Sequence, residues 1–134
     1  MLKQLSIYAE NKKGALQAMT NALYEAGINI WGSVTNDGAE YGINRMVVSD
    51  PDKAKEVLTE KGHLCRFVDV LAVEIEDKPG ALNTLLTALL DSNVNVDYTY
   101  LSFNRDSSTP VMILHTADPE EVEICLRAKG FKMV

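Results

Sequence analysis

The sequence predicts an α+β protein made of two copies of one βαββαβ unit. Three observations predict it: a seven-residue motif recurs 66 positions apart, the same order of strand and helix periodicities follows each copy, and the stretch joining the copies holds no turn residue. The motif reads ENKKGAL at Glu10–Leu16 and EDKPGAL at Glu76–Leu82. At the same offset Ala22-Leu23 meets Ala88-Leu89, and Gly27-Ile28-Asn29-Ile30 meets Asn93-Val94-Asn95-Val96. Nine positions are identical between 5–35 and 71–101, where average composition gives roughly two by chance. Further on the offset becomes 68, with Asp50-Pro51 matching Asp118-Pro119 and Lys61-Gly62 matching Lys129-Gly130. Two extra residues therefore fall in the second copy, in the turn between Asn104 and Pro110.

The elements follow in order. Leu5, Ile7 and Ala9 alternate with Ser6 and Tyr8, a strand of period two. After Gly14, the spacing of Leu16, Met19, Leu23 and Ala26 gives one face of a helix, which Gly27 ends. Ile28, Ile30 and Val34 begin a second strand. Asn36-Asp37-Gly38 is a tight-turn sequence, and Tyr41 to Ser49 returns as the other arm of a hairpin. Asp50 reads as a helix cap with Pro51 at the first helical position. Ala54, Val57 and Leu58 form that helix's inner face, and Gly62 stops it. Residues 64–76 run extended, so the last strand of copy one flows into the first strand of copy two. The second copy repeats the order. Leu82, Leu85, Leu86, Leu89 and Leu90 lie on its first helix, and strands fall near Val94–Phe103 and Val111–Thr116. A capping-box-like start at Asp118-Pro119-Glu120-Glu121 follows, then Val122, Cys125 and Leu126 facing inward, and a closing strand from Phe131 to Val134.

This order is the split βαβ, or ferredoxin-like, plait. The right-handed crossover rule puts both helices on one face of an antiparallel sheet. The domains are expected at 1–69 and 70–134, with the junction near Asp69–Leu71. The other sheet face is left bare, and Trp31, Val68, Val70 and Leu101 are expected there. Apolar residues on such a face imply burial against another surface, in this chain or a second one. A homodimer is the expected assembly.

Composition narrows the function classes. Hydrophobic residues make up 46% and charged residues 24%, so a core forms without staples. The net charge of −6 and the scattered lysines and arginines offer no basic stripe for nucleic acid, and no attraction to an acidic membrane. No segment approaches the ~20 apolar residues of a span, and the N-terminus lacks a signal-peptide core. Cys65 and Cys125 read as free thiols, and a cytoplasmic location is expected. No catalytic constellation is found. His63, Cys65 and His115 do not make a metal-ligand set. The carboxylates of Glu74 and Glu76 are expected to be solvated. No cofactor is implied.

One feature points to a ligand. A glycine where a strand turns into a helix lets a small molecule approach the backbone, and the free amides of the helix N-terminus suit a carboxylate. Asn11 or Asp77 lies three residues before that glycine. Its oxygen can accept from an α-ammonium, as can Asn29 and Asn95 at the start of the second strand. Together these groups read the two charges of a free amino acid. The alternative is that Asn11 and Asp77 cap helices while Asn29 and Asn95 satisfy turns.

The two motifs, the A-L-x(3)-G/N-I/V-N-I/V segment after each and the element order resemble ACT domains, the amino-acid-sensing modules. The resemblance covers essentially the whole chain, twice. It implies two ferredoxin-like domains side by side in a joined eight-stranded sheet, with amino acids bound where the β1–α1 loop of one domain faces the early second strand of the other. Carried over, one site uses Asn11, Lys12, Lys13, Gly14, Ala15 and Leu16 with Asn95. The other uses Asp77, Lys78, Pro79, Gly80, Ala81 and Leu82 with Asn29. Lys13 departs from the motif's proline, which makes the first loop differ from the second. ACT modules regulate enzymes, so the resemblance implies a free-standing sensor, or a regulatory subunit acting in trans such as that of acetolactate synthase. A small ferredoxin-like enzyme and a pure interaction protein are the competing classes.

Overall fold

The structure, a computed structural model, describes residues 1–36 and 41–134, with Tyr41 described by its backbone alone. Beyond Asn36, the expected Asn36-Asp37-Gly38 turn lies outside the described residues. The elements are β1 (Leu2–Glu10), α1 (Ala15–Glu25), β2 (Ile30–Asn36), β3 (Tyr41–Val48), α2 (Pro51–Glu60), β4 (Leu64–Glu74), α3 (Ala81–Asp91), β5 (Tyr98–Phe103), β6 (Pro110–His115) and α4 (Pro119–Ala128). They fall into two compact units, Lys3–Val68 and Asp69–Val134, the latter including Met1–Leu2.

In the first unit β3 pairs antiparallel with both β1 and β2, setting Leu5 opposite Met46 and Ile30 opposite Val48. Leu5, Ile7 and Met46 project to one face of the sheet. There they meet Met19, Ala22 and Leu23 of α1 and Ala54 and Leu58 of α2. In the second unit β6 pairs antiparallel with β4 and β5, with Leu71 opposite Leu114 and Leu101 opposite Met112. Leu71, Val73, Met112 and Leu114 meet Leu85 and Leu89 of α3 and Val122 and Leu126 of α4. Each unit is thus a sheet with both helices on one face, as the crossover rule requires.

The structure corrects or refines the sequence reading at four points. Six strands are found among the described residues, in place of the joined eight. One is lost because β4 is a single strand carrying the end of copy one and the start of copy two. The other is lost because the closing segment makes only the bridge between Val73 and Met133, flanked by Glu74 N–H to Lys132 C=O and Val134 N–H to Ala72 C=O, each 2.9 Å. Second, α3 buries only Leu85 and Leu89, and Leu82, Leu86 and Leu90 are exposed. Leu16 at the start of α1 is exposed as well. Third, Leu101 lies opposite Met112 and so on the helix side of the sheet. Fourth, the face away from the helices is not bare in the second unit. Val70, Ala72, Val111, Ile113 and Tyr100 are all buried within a single chain. Trp31 and Val68 are half-buried.

Helix ends follow the repeat. α1, α2 and α4 are closed by Gly27, Gly62 and Gly130 in the left-handed region. α3 is closed by Asn93 at φ 58°. In each case the residue after the closing one returns its N–H to the last full turn, as in Ile28 to Leu23 and Val94 to Leu89. At the N-termini, Asp50 caps α2 by accepting from Lys53 N–H at 3.2 Å. Its counterpart Asp118 accepts no such bond, so the expected capping box is not formed.

Candidate functional site

The two β–α1 loops have one design. In the first, Ala15 N–H donates to Lys12 C=O at 3.2 Å and the Lys12 ammonium pairs with Glu10 at 3.0 Å. In the second, Ala81 N–H donates to Lys78 C=O at 3.2 Å and Lys78 pairs with Glu76 at 2.6 Å. Gly14 and Gly80 hold φ of 86° and 87°. A Cβ at either would meet nothing within 4 Å, so the backbone angle and not space demands glycine. The residues at the N-cap positions of α1 and α3 are these glycines, which bring no side chain to cap the helix. Ala18 and Thr84 N–H close onto Gly14 and Gly80 C=O. The intervening amides of Leu16, Gln17, Leu82 and Asn83 have no backbone or capping partner among the described residues, as at any uncapped helix start.

Each loop borders a hollow. The first, about 220 Å³, is lined by Asn11, Lys12, Ala15 and Leu16 together with Thr35 and Asn44. Asn44 is buried, and its amide donates to Ser33 Oγ at 3.0 Å and Thr35 Oγ1 at 2.8 Å. The second, about 400 Å³, is lined by Lys78, Ala81 and Thr84 with Glu74, Glu76 and Lys132. Only the second falls in the ~300–1,000 Å³ range of ordinary ligand pockets. Lys13, Gly14, Asp77, Pro79, Gly80 and Leu82 are exposed around these mouths without lining them.

Glu74 was expected to be solvated and is not. Its carboxylate accepts from Lys132 Nζ at 2.9 Å, Asn104 Nδ2 at 3.0 Å and Ser107 Oγ at 3.5 Å. These bonds, Lys132's first, outweigh burial and hold its pKa below the usual glutamate value. Asn104 and Ser107 belong to the turn that carries the second copy's two extra residues. The sequence marks that insertion but does not say which strand it reaches. Asn44, similarly, carries no motif, and only the register β3 makes with β1 and β2 brings it to the loop.

The early second-strand asparagines stand elsewhere in their own units. Asn29 exchanges backbone bonds with Ser49, its N–H to Ser49 Oγ and its C=O from Ser49 N–H, both 2.9 Å. Asn95 donates its side-chain amide to Asp97 Oδ1 at 3.1 Å. It lines a separate hollow of about 440 Å³. Asp97 also binds His115 Nδ1 at 2.8 Å, and Tyr98 stacks on that imidazole. Among the described residues no three His, Cys, Asp or Glu side chains are grouped to hold a metal ion, and no helix is long and apolar enough to cross a membrane.

The chain matches the family model of the ACT domain pair over residues 1–133. Protein BT0572 from Bacteroides thetaiotaomicron is similar in structure, with a TM-score of 0.91 and 30% identity over 99% of this chain and 91% of that one. The ligand-free regulatory subunit of aspartate kinase from Thermus thermophilus shares the fold, with a TM-score of 0.67 and 17% identity over 96% and 91% of the chains. The corresponding subunit from Thermus flavus gives 0.63 and 20% over the same shares. No curated protein matches the sequence.

Proposed function

Since this chain belongs to the ACT domain family, as a pair of such domains over residues 1–133, we propose that it is a regulatory protein that binds a free amino acid and controls a metabolic enzyme in trans. The observation that carries this reading is the doubled loop: two helix N-termini, each opened by a left-handed glycine that brings no capping side chain, with Asn11 or Asp77 three residues before it. Unpaired first-turn amides bind a carboxylate through both hydrogen bonding and the positive end of the helix. Asn11 and Asp77 supply oxygens for an ammonium. Asn95 and Asn29 are the partners that family resemblance assigns to these loops. The larger second hollow, with the motif's Pro79 intact, is the stronger of the two sites.

On this reading the protein is a cytoplasmic sensor and not a catalyst. The enzyme to seek is one of amino-acid biosynthesis, acetolactate synthase among the candidates. The aspartate kinase subunits of similar fold keep that second enzyme in view. A homodimer is proposed as well. Support for it comes from Leu82, Leu86 and Leu90, exposed one turn apart along α3.

A thermal-shift screen of the free amino acids tests the central claim. Stabilisation by one or a few related amino acids is expected, about 2.7 kcal/mol for a ligand at 100 times its dissociation constant. No shift with any of them overturns the reading and leaves the interaction-protein alternative. Sedimentation showing only monomer, with and without the amino acid, removes the dimer.

A further inference from the structure

The hollow lined by Asn95 holds a buried polar atom with nothing to bind. Thr116 is 2% exposed, and its hydroxyl has no hydrogen-bond partner among the described residues. A buried hydroxyl left unpaired is costly, and native structures rarely keep one. Around the same hollow stand three carboxylates, Asp97, Asp118 and Glu121, and no lysine or arginine lines it. The Asp118 side chain, freed from the capping role that Asp50 performs in the first repeat, makes no bond to its own helix.

The first repeat shows what such a place is built for. Glu121 corresponds to Lys53 at the 68-residue offset, and Ser92 to Ala26 at the 66-residue offset. Ala26 and Ser92 hold the same position at the ends of α1 and α3, with φ and ψ of −85° and 0° against −91° and 7°. In the first repeat the Lys53 ammonium donates to Ala26 C=O at 3.1 Å, so a cation closes the negative end of α1. In the second repeat that lysine is a glutamate, and Thr116 replaces the apolar Val48. The cation has been removed and a carboxylate stands in its place, while Asp97 and the Thr116 hydroxyl replace the apolar Trp31 and Val48.

We propose that this hollow binds the primary ammonium group of a small molecule. The bound ammonium occupies the place that Lys53 fills from within the chain in the first repeat. Its three N–H groups donate to Thr116 Oγ1, to one carboxylate of the hollow and to the carbonyl end of α3. The site is distinct from the β–α1 loops, and it requires an ammonium but no carboxylate on its ligand. Free amines and the side chain of lysine share this chemistry.

The test is titration of the intact protein with 1,5-diaminopentane, and separately with L-lysine, at constant ionic strength and followed by amide chemical shifts. 1,5-Pentanediol serves as the neutral control. Saturable shifts at Thr116, Ala117 and Asp118 are expected with one or both amines and not with the diol. Diaminopentane binding at least as tightly as lysine identifies a free amine, and tighter lysine binding identifies the amino-acid side chain. Thr116→Val should weaken binding about ten-fold or more, the loss of one hydrogen bond to a charged group. Glu121→Lys should abolish it and raise the ligand-free Tm, because the chain then supplies its own cation. Asn11→Ala and Asp77→Ala, one in each loop, should both leave amine binding intact, so failure of the loop reading and failure of this one stay separate. Shifts no larger with amine than with diol, or equal affinity in Thr116→Val, overturn the proposal.

Discussion

Gly27 and Asn93 occupy the same left-handed position after the first helix of each repeat, at φ 72° and 58°, and each donates its N–H to the carbonyl three residues before it. Glycine adopts that conformation without cost. Asparagine is the side chain that tolerates it best, which explains why asparagine can stand at the one helix end of the four where glycine does not.

Replacing Asn93 by Ala should therefore destabilise the protein by about 1 kcal/mol, and Asn93→Gly should be neutral or slightly stabilising. Urea unfolding of the three proteins checks this. Equal stabilities for Ala and Gly at position 93 would show that the left-handed turn is not held in solution.

The loop reading makes a prediction at the paired asparagines. Asn95→Ala removes a hydrogen bond to a charged ligand group, worth roughly 1.5–3 kcal/mol, or about one to two decades of amino-acid affinity. Asn29→Ala should act likewise on the site of the second loop. Calorimetric titration with the best-stabilising amino acid measures both. Unchanged affinity in both variants would remove these asparagines from the site.

Glu74 makes stability depend on pH. Its folded pKa lies below the ordinary glutamate value, so its contribution is complete above that value. The contribution fades as pH falls through the lowered folded value. Lys132→Met removes the main cause of the shift. The stability difference between wild type and this variant should be present near neutrality and shrink on acidification below the usual glutamate range. Denaturant unfolding at several pH values follows it, and a difference that grows in acid would contradict the assignment.

The two thiols should differ in reactivity. Burial pushes the Cys65 thiol up, against the opposing influence of Lys55 and a hydrogen bond from Thr59. A thiol so raised carries little thiolate at neutral pH and is slow to alkylate. Cys125 is half-exposed beside Ser92, 3.2 Å away. Mass spectrometry after limited alkylation should find Cys125 modified first, with Cys65 following only on unfolding. Cys65 labelled first under native conditions would refute the burial.

Much of the fold was legible because the chain states it twice. A strand–glycine–helix junction read at Gly14 could be checked at Gly80, and a helix stop at Gly62 against one at Gly130. What stayed hidden depends on phase and register. The five leucines of α3 spread over a wide apolar face, so their spacing could not reveal that only Leu85 and Leu89 are buried. Leu101 was assigned to the wrong sheet face because a strand's inner side is fixed by its partner, here Met112, and not by its own alternation. The loops were visible as motifs. The clamp on Glu74 and the orphaned hydroxyl of Thr116 arise between residues 30 or more apart in one case and from a lack of neighbours in the other, and neither leaves a local pattern.

β4 runs unbroken from Leu64 to Glu74 through the boundary at which one unit ends and the next begins. A duplication joined through a loop can be undone by recombination or by a protease, and its halves can be traded between genes. One joined inside a strand offers no such cut, since any break leaves frayed backbone amides and carbonyls on both pieces. The halves are therefore bound into one chain through a shared strand, and within it they differ in chemistry, as at Lys53 and Glu121.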